Sequence, residues 1–129
     1  MKEMKHQTQG KAITIVNSTN TAVAAQSGSL QVFATPFMIA LMEKATCKAV
    51  EESLDDGETT VGTNIDVSHI KASGIGAVIT ATAILDDIDG RKLTFTVNAK
   101  DDSGDTIGKG TIERFVVDAD KFMKKVGNK

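Results

Sequence analysis

Hydrophobic and polar positions change rhythm twice along the chain. Lys11-Ala-Ile-Thr-Ile-Val16 and Thr21-Ala-Val-Ala24 alternate in part and carry β-branched residues, so each reads as a candidate strand, with Asn17-Ser-Thr-Asn20 between them. At Ala34-Thr35-Pro36 the rhythm becomes helical. Thr35 is suited to cap a helix whose first residue is Pro36, because proline there gives up no intrahelical bond. The pattern runs to Leu54 and places Lys44, Lys48, Glu51, Glu52 and Asp55 in a narrow polar stripe; most remaining positions are apolar or small, which predicts a largely buried helix. Asp56-Gly57 ends it. From Thr59 the period falls to two, predicting strands over Thr59–His69, Gly76–Leu85, Lys92–Lys100 and Thr106–Val117, with turns at Asp89-Gly90 and Ser103-Gly104. Leu93, Phe95, Val97 and Ala99 alternate with polar residues and mark one buried face. A short helix over Ala119–Val126 closes the chain.

One or two strands, a long apolar helix and a four-stranded antiparallel meander form an α+β arrangement. A helix this apolar cannot lie on a sheet with its outer side in water, so the sheet must curl around it or a second subunit must cover it. Either solution describes a hot-dog fold.

Length and composition narrow the picture. At 129 residues the chain is one domain, with residues 1–10 and 127–129 expected as flexible tails. A net charge of −2 and the absence of Trp and Tyr argue against nucleic acid and sugars as partners. The apolar run Phe37–Met42 is far too short to span a bilayer. The charged N-terminus lacks the apolar stretch of a secretory signal and Cys47 is the only cysteine, so a reducing cytoplasm is expected.

Three residues stand out chemically. Glu43 projects roughly 110° from the polar stripe and shares its helix face with Ile39, Ala40, Cys47 and Val50. A carboxylate there needs a partner, a raised pKa or a functional reason. Thr35 has a sufficient structural role as the cap, although helix N-termini also attract developing negative charge. It lies eight residues before Glu43, roughly 12 Å along the axis, too far for direct contact. His69 falls on the strand face of Ile65 and Val67, where a histidine is more often a satisfied core residue than a catalyst. Cys47 has no histidine near it in sequence and reads as core. Asp86-Asp-Ile-Asp-Gly90 lacks the later ligands of a calcium loop, and with only two histidines in the chain no metal site is expected.

Five separated motifs change the weighting. Val32-Phe-Ala-Thr-Pro-Phe-Met-Ile-Ala-Leu-Met-Glu-Lys-Ala45, Thr60-Val-Gly-Thr63, Val67-Ser-His69, Asp89-Gly-Arg-Lys-Leu93 and Gly108-Lys-Gly-Thr-Ile-Glu-Arg-Phe-Val-Val117 together resemble the fluoroacetyl-CoA thioesterase family of hot-dog proteins. The resemblance implies Thr35, Glu43 and His69 as a catalytic set. It implies Gly62, Phe33 and Arg114 as substrate contacts, with the Gly62 main chain at the thioester carbonyl. It also implies an acyl-CoA substrate, no cofactor beyond the CoA of the substrate, and a homodimer. Ile112 stands where the family often carries a histidine, and fluoroacetate resistance is not expected. The rival readings are a silent acyl-CoA or acyl-carrier binding module and a hot-dog enoyl-CoA hydratase; hydratases generally use an Asp and a His close together in a distinctive loop, and no comparable segment is present.

Overall fold

The computed structural model describes residues 1–127. In chain order its elements are β1 (Gln9–Ile15), α1 (Ala22–Ala25), α2 (Thr35–Val50), β2 (Glu58–His69), β3 (Val78–Asp89), β4 (Lys92–Lys100), β5 (Thr106–Asp118) and α3 (Ala119–Lys125), with a turn of 3-10 helix, Glu51–Ser53, extending α2. The strands form a five-stranded sheet in the order β1-β3-β4-β5-β2, every neighbouring pair antiparallel. The sheet curls around α2. Leu93, Phe95, Val97 and Ala99 are fully buried on its inner face, as their alternation requires, against Met38, Met42 and Ala45 of the helix. Burying each large apolar side chain contributes about 1.5–3 kcal/mol. Opposite, β1 crosses α2 at Gly10, where a Cβ would collide with the Ala45 carbonyl and the backbone of Ala49.

Four expectations change in three dimensions. Thr21–Ala24 is not a strand: the Thr21 hydroxyl accepts a hydrogen bond from the Ala24 N–H (3.3 Å) and starts the single turn of α1, which Gln26 ends in the left-handed region. The meander has three strands, not four. After β2 the chain crosses over residues 70–77 and enters the sheet between β1 and β4, because that connection is too long for a tight hairpin and its main chain is bonded elsewhere, as in Phe33 N–H to Ser73 O (2.8 Å) and Gly76 N–H to Val16 O (2.8 Å). β3 runs on past Leu85 to Asp89 because a bulge at Asp86 lets pairing with β4 resume at Asp87. The expected N-terminal tail is packed: Met4 joins the core, Lys2 N–H donates to Ser53 O (2.8 Å) and Gln7 N–H to Leu85 O (2.7 Å). Of the expected C-terminal tail, residues 128–129 lie outside the described residues.

The sheet covers only part of α2. Phe37 and Ala40 remain exposed, and β2, at the sheet edge, is open over Thr63, Asn64, Ile65 and Asp66.

Candidate active site

The start of α2 differs from the expected cap. Ala34 is the N-cap, with no side-chain capping bond; Thr35 is the first helical residue and Pro36 the second. The Thr35 hydroxyl is therefore free for another partner, and it lies 2.7 Å from His69 Nδ1. His69 is the last residue of β2 and is half-buried, with Nε2 enclosed and unpartnered. Burial pushes the imidazole below its ordinary pKa of 6.5, opposed in part by the main chain of Lys71. A helix start carries unpaired N–H groups and partial positive charge, so this pair sits where negative charge is favoured.

Glu43 lies two turns further along α2. Its side chain is 32% exposed, more open than the sequence reading predicts. Arg114 Nη1 donates to Glu43 Oε2 at 2.9 Å from a guanidinium that is itself buried. Two more nitrogens of Arg114 are anchored on Thr60: Nε donates to Oγ1 and Nη2 to the main-chain carbonyl, both at 2.9 Å. Gly62 completes the contact, since a Cβ there would stand 2.7 Å from Glu43 Oε2 and 3.4 Å from Arg114 Nη1. A side chain at this position would push the Glu43 carboxylate out of its present place beside Arg114.

A bulge joins the two halves of the site. Pairing of β2 with β5 jumps from Gly62↔Arg114 to Asn64↔Glu113, leaving Thr63 without an opposite residue; its hydroxyl donates to Glu113 O (3.2 Å). Gly62 and His69 are separated by an odd number of residues, and a regular strand would point them to opposite faces. The extra residue puts both on the inner face, with Gly62 across from buried Arg114 and Ile65 across from buried Ile112. Bulges commonly redirect side chains beside active sites in this way.

Within one chain the residues line two separate depressions. One, about 290 Å³, includes Thr35, His69, Phe33, Val32 and Ile70; the other, about 390 Å³, is formed by Glu43, Gly62, Thr63, Asn64 and Ile65. Phe33 is 1% exposed and belongs to the core as well as to the lining of the first depression. Arg114 is 7% exposed and is spent on Thr60 and Glu43, so its geometry is that of a support beneath Glu43. Ile112 is core. Thr60, which the sequence reading passes over, is the other buried polar residue here; its place two residues before Gly62, on the inner face, was the available signal. Cys47 Sγ lies 4.0 Å from the Thr60 hydroxyl, a packing contact. Among the described residues no group of three or more His, Cys, Asp or Glu could hold a metal ion.

A long helix held by a curled antiparallel sheet, with a paired carboxylate and a Thr–His pair along one sheet edge, has the architecture of a hot-dog protein of the thioesterase superfamily. It superposes with a TM-score of 0.92 on a solved fluoroacetyl-CoA thioesterase, at 35% identity over 98% of each chain. A Thermus thermophilus hypothetical protein described as a thioesterase superfamily member, at 23% identity over 98% of this chain and 93% of its own, shares the fold with a TM-score of 0.90. The fluoroacetyl-CoA thioesterase of Streptantibioticus cattleyicolor is 44% identical over 99 residues, 77% of this chain and 70% of that protein. The model of the fluoroacetyl-CoA-specific thioesterase family matches residues 16–120, and the chain belongs to that family of thioester hydrolases.

Proposed function

We propose that this protein hydrolyses a small acyl-CoA thioester to the free acid and CoA, with Glu43, His69 and Thr35 as its reacting groups. The observation that carries the reading is the Glu43 carboxylate, tied through Oε2 to buried Arg114 and packed against Gly62 at the floor of an open depression. Arg114 fixes one oxygen, Oε2, in place, so Oε1 is the oxygen left to act on the attacking water. As general base, Glu43 takes a proton from water as the water attacks the carbonyl; the carbonyl oxygen, now carrying negative charge, is held by the Gly62 main chain. Collapse releases the CoA thiolate, a good leaving group, and the proton on Glu43 passes to it. Thr35 and His69, bonded to each other at the positive end of α2, orient the thioester and the attacking water. If Glu43 instead attacks directly, it displaces the CoA thiolate to form a mixed anhydride, which water hydrolyses in a second step; in labelled water a single turnover places label in Glu43 when water attacks the Glu43 carboxyl carbon, and in the product acid when it attacks the acyl carbon. The chemistry needs no cofactor besides the CoA carried by the substrate. A cytoplasmic setting fits acyl-CoA substrates, and no helix among the described residues is long and apolar enough to cross a membrane.

The same reading includes a homodimer formed along β2. Antiparallel pairing of two β2 edges about a dyad at Asp66, with Thr63 bulged out of register, sets Gly62 of one copy opposite the partner's His69, and residues directly opposite point to the same face. Glu43 of one subunit then joins the Thr35–His69 pair of the other, and the exposed edge and Ile65 are covered.

The test is release of free thiol from a series of short acyl-CoAs. Glu43→Gln changes charge with little change in volume and is expected to lower kcat by about a hundredfold or more, with the fold retained. Near-normal turnover in that variant removes Glu43 from the chemistry; binding without turnover in the wild type removes hydrolysis altogether.

A further inference from the structure

We infer that Thr60 is a positioning residue of this site, acting on Glu43 through Arg114. The inference rests on the reading of Glu43 as the reacting carboxylate. A guanidinium is a planar fork of five donors, and its direction is set by whatever holds two of them at once. Here one residue holds both. Thr60 accepts from Arg114 Nε through its hydroxyl and from Nη2 through its own carbonyl, each at 2.9 Å. The remaining terminal nitrogen, Nη1, is thereby turned to Glu43 Oε2.

Any residue at position 60 would supply the carbonyl. The hydroxyl is the part that depends on sequence, and it lies in a buried residue on the inner face of β2. Without it, Nε has lost its acceptor in a place where an unpaired donor is costly, and only one anchor stops the fork from rotating. Glu43 then loses a fixed partner on Oε2 and a fixed orientation toward the substrate. A misoriented carboxylate slows the chemical step and leaves substrate binding largely as it was.

The experiment compares Thr60→Val, which keeps the shape without the hydroxyl, with Thr60→Ser, which keeps the hydroxyl. Thr60→Val is expected to lower kcat about tenfold with KM nearly unchanged, and Thr60→Ser to restore most of it. Thr60→Ala removes the hydroxyl without setting a methyl group against the guanidinium, and serves if the valine protein does not fold. Unchanged kcat in folded valine or alanine protein, a change confined to KM, or a serine protein as slow as valine would each overturn the inference. Crystal structures of the same variants give a readout independent of turnover: the Arg114–Glu43 bond should be broken or lengthened in the valine or alanine protein and intact in the serine protein. An intact bond in all of them overturns the clamp, whereas a wild type that releases no thiol from any acyl-CoA overturns the proposed reaction and leaves the structural comparison to decide the clamp.

Discussion

At the residue scale, the main change concerns Thr35. A threonine before a proline at a helix start is ordinarily a cap, and the hydroxyl would then be occupied by the main chain. Because Ala34 begins the helix instead, the Thr35 side chain is available to His69. His69 in turn carries a testable consequence. Its pKa is depressed by burial, so it is neutral at neutral pH and gains a proton only at pH below 6.5. If neutral His69 orients the water, kcat/KM should hold steady from neutral pH downward and fall only below the ordinary imidazole value of about 6.5. A pH profile whose acid limb lies above that value, or one unchanged by His69→Ala, would separate His69 from the rate. Glu43 was legible as an anomaly because helix periodicity alone put a carboxylate among apolar neighbours. Arg114 as its partner was not, since the two are 71 residues apart and meet only through the sheet.

At the scale of elements, β4 was legible to the residue, and β5, β2 and α3 nearly so. Strict alternation and explicit turns leave a strand little freedom. The α3 cap is firmer than its sequence suggests, with the Asp118 side chain accepting from Lys121 N–H at 3.0 Å. What local pattern could not give was pairing, because alternation does not say which strand lies alongside which. The packing of β1 on α2 makes the dependence on close approach measurable. Gly10→Val forces branched carbons against the Ala45 carbonyl and the backbone of Ala49, neither of which can turn aside. The expected cost is about 1–3 kcal/mol, seen as a lower denaturant midpoint with an unchanged slope. A midpoint equal to that of the wild type would mean that β1 and α2 separate more easily than their contact implies.

At the scale of the whole molecule, the two depressions define the question. Thr35 with His69 and Glu43 with Gly62 lie in different hollows of one chain, and the edge between them is unpaired. If each working site takes Glu43 from one copy and His69 from the other, two inactive variants should rescue each other. A Glu43→Gln subunit paired with a His69→Ala subunit contains one site with both residues intact and one with neither. Equal mixing after reversible dissociation should then recover about a quarter of wild-type activity, since about half the dimers are mixed and each has one good site. Activity no higher than that of the separate variants would place all three residues in one chain's site.

The sequence by itself determined the long apolar helix, the strands that follow it and their inward faces, because these depend on periodicities of 3.6 and 2 that any local window contains. Together with the motifs it also marked Thr35, Glu43, Gly62 and His69. Tertiary structure alone decided that β2 lies at the edge beside β5, that a bulge at Thr63 brings Gly62 and His69 to one face, and that Thr60 and Arg114 stand behind Glu43. Those outcomes depend on pairing register and on contacts between residues distant in the chain, which local hydrophobic pattern does not encode.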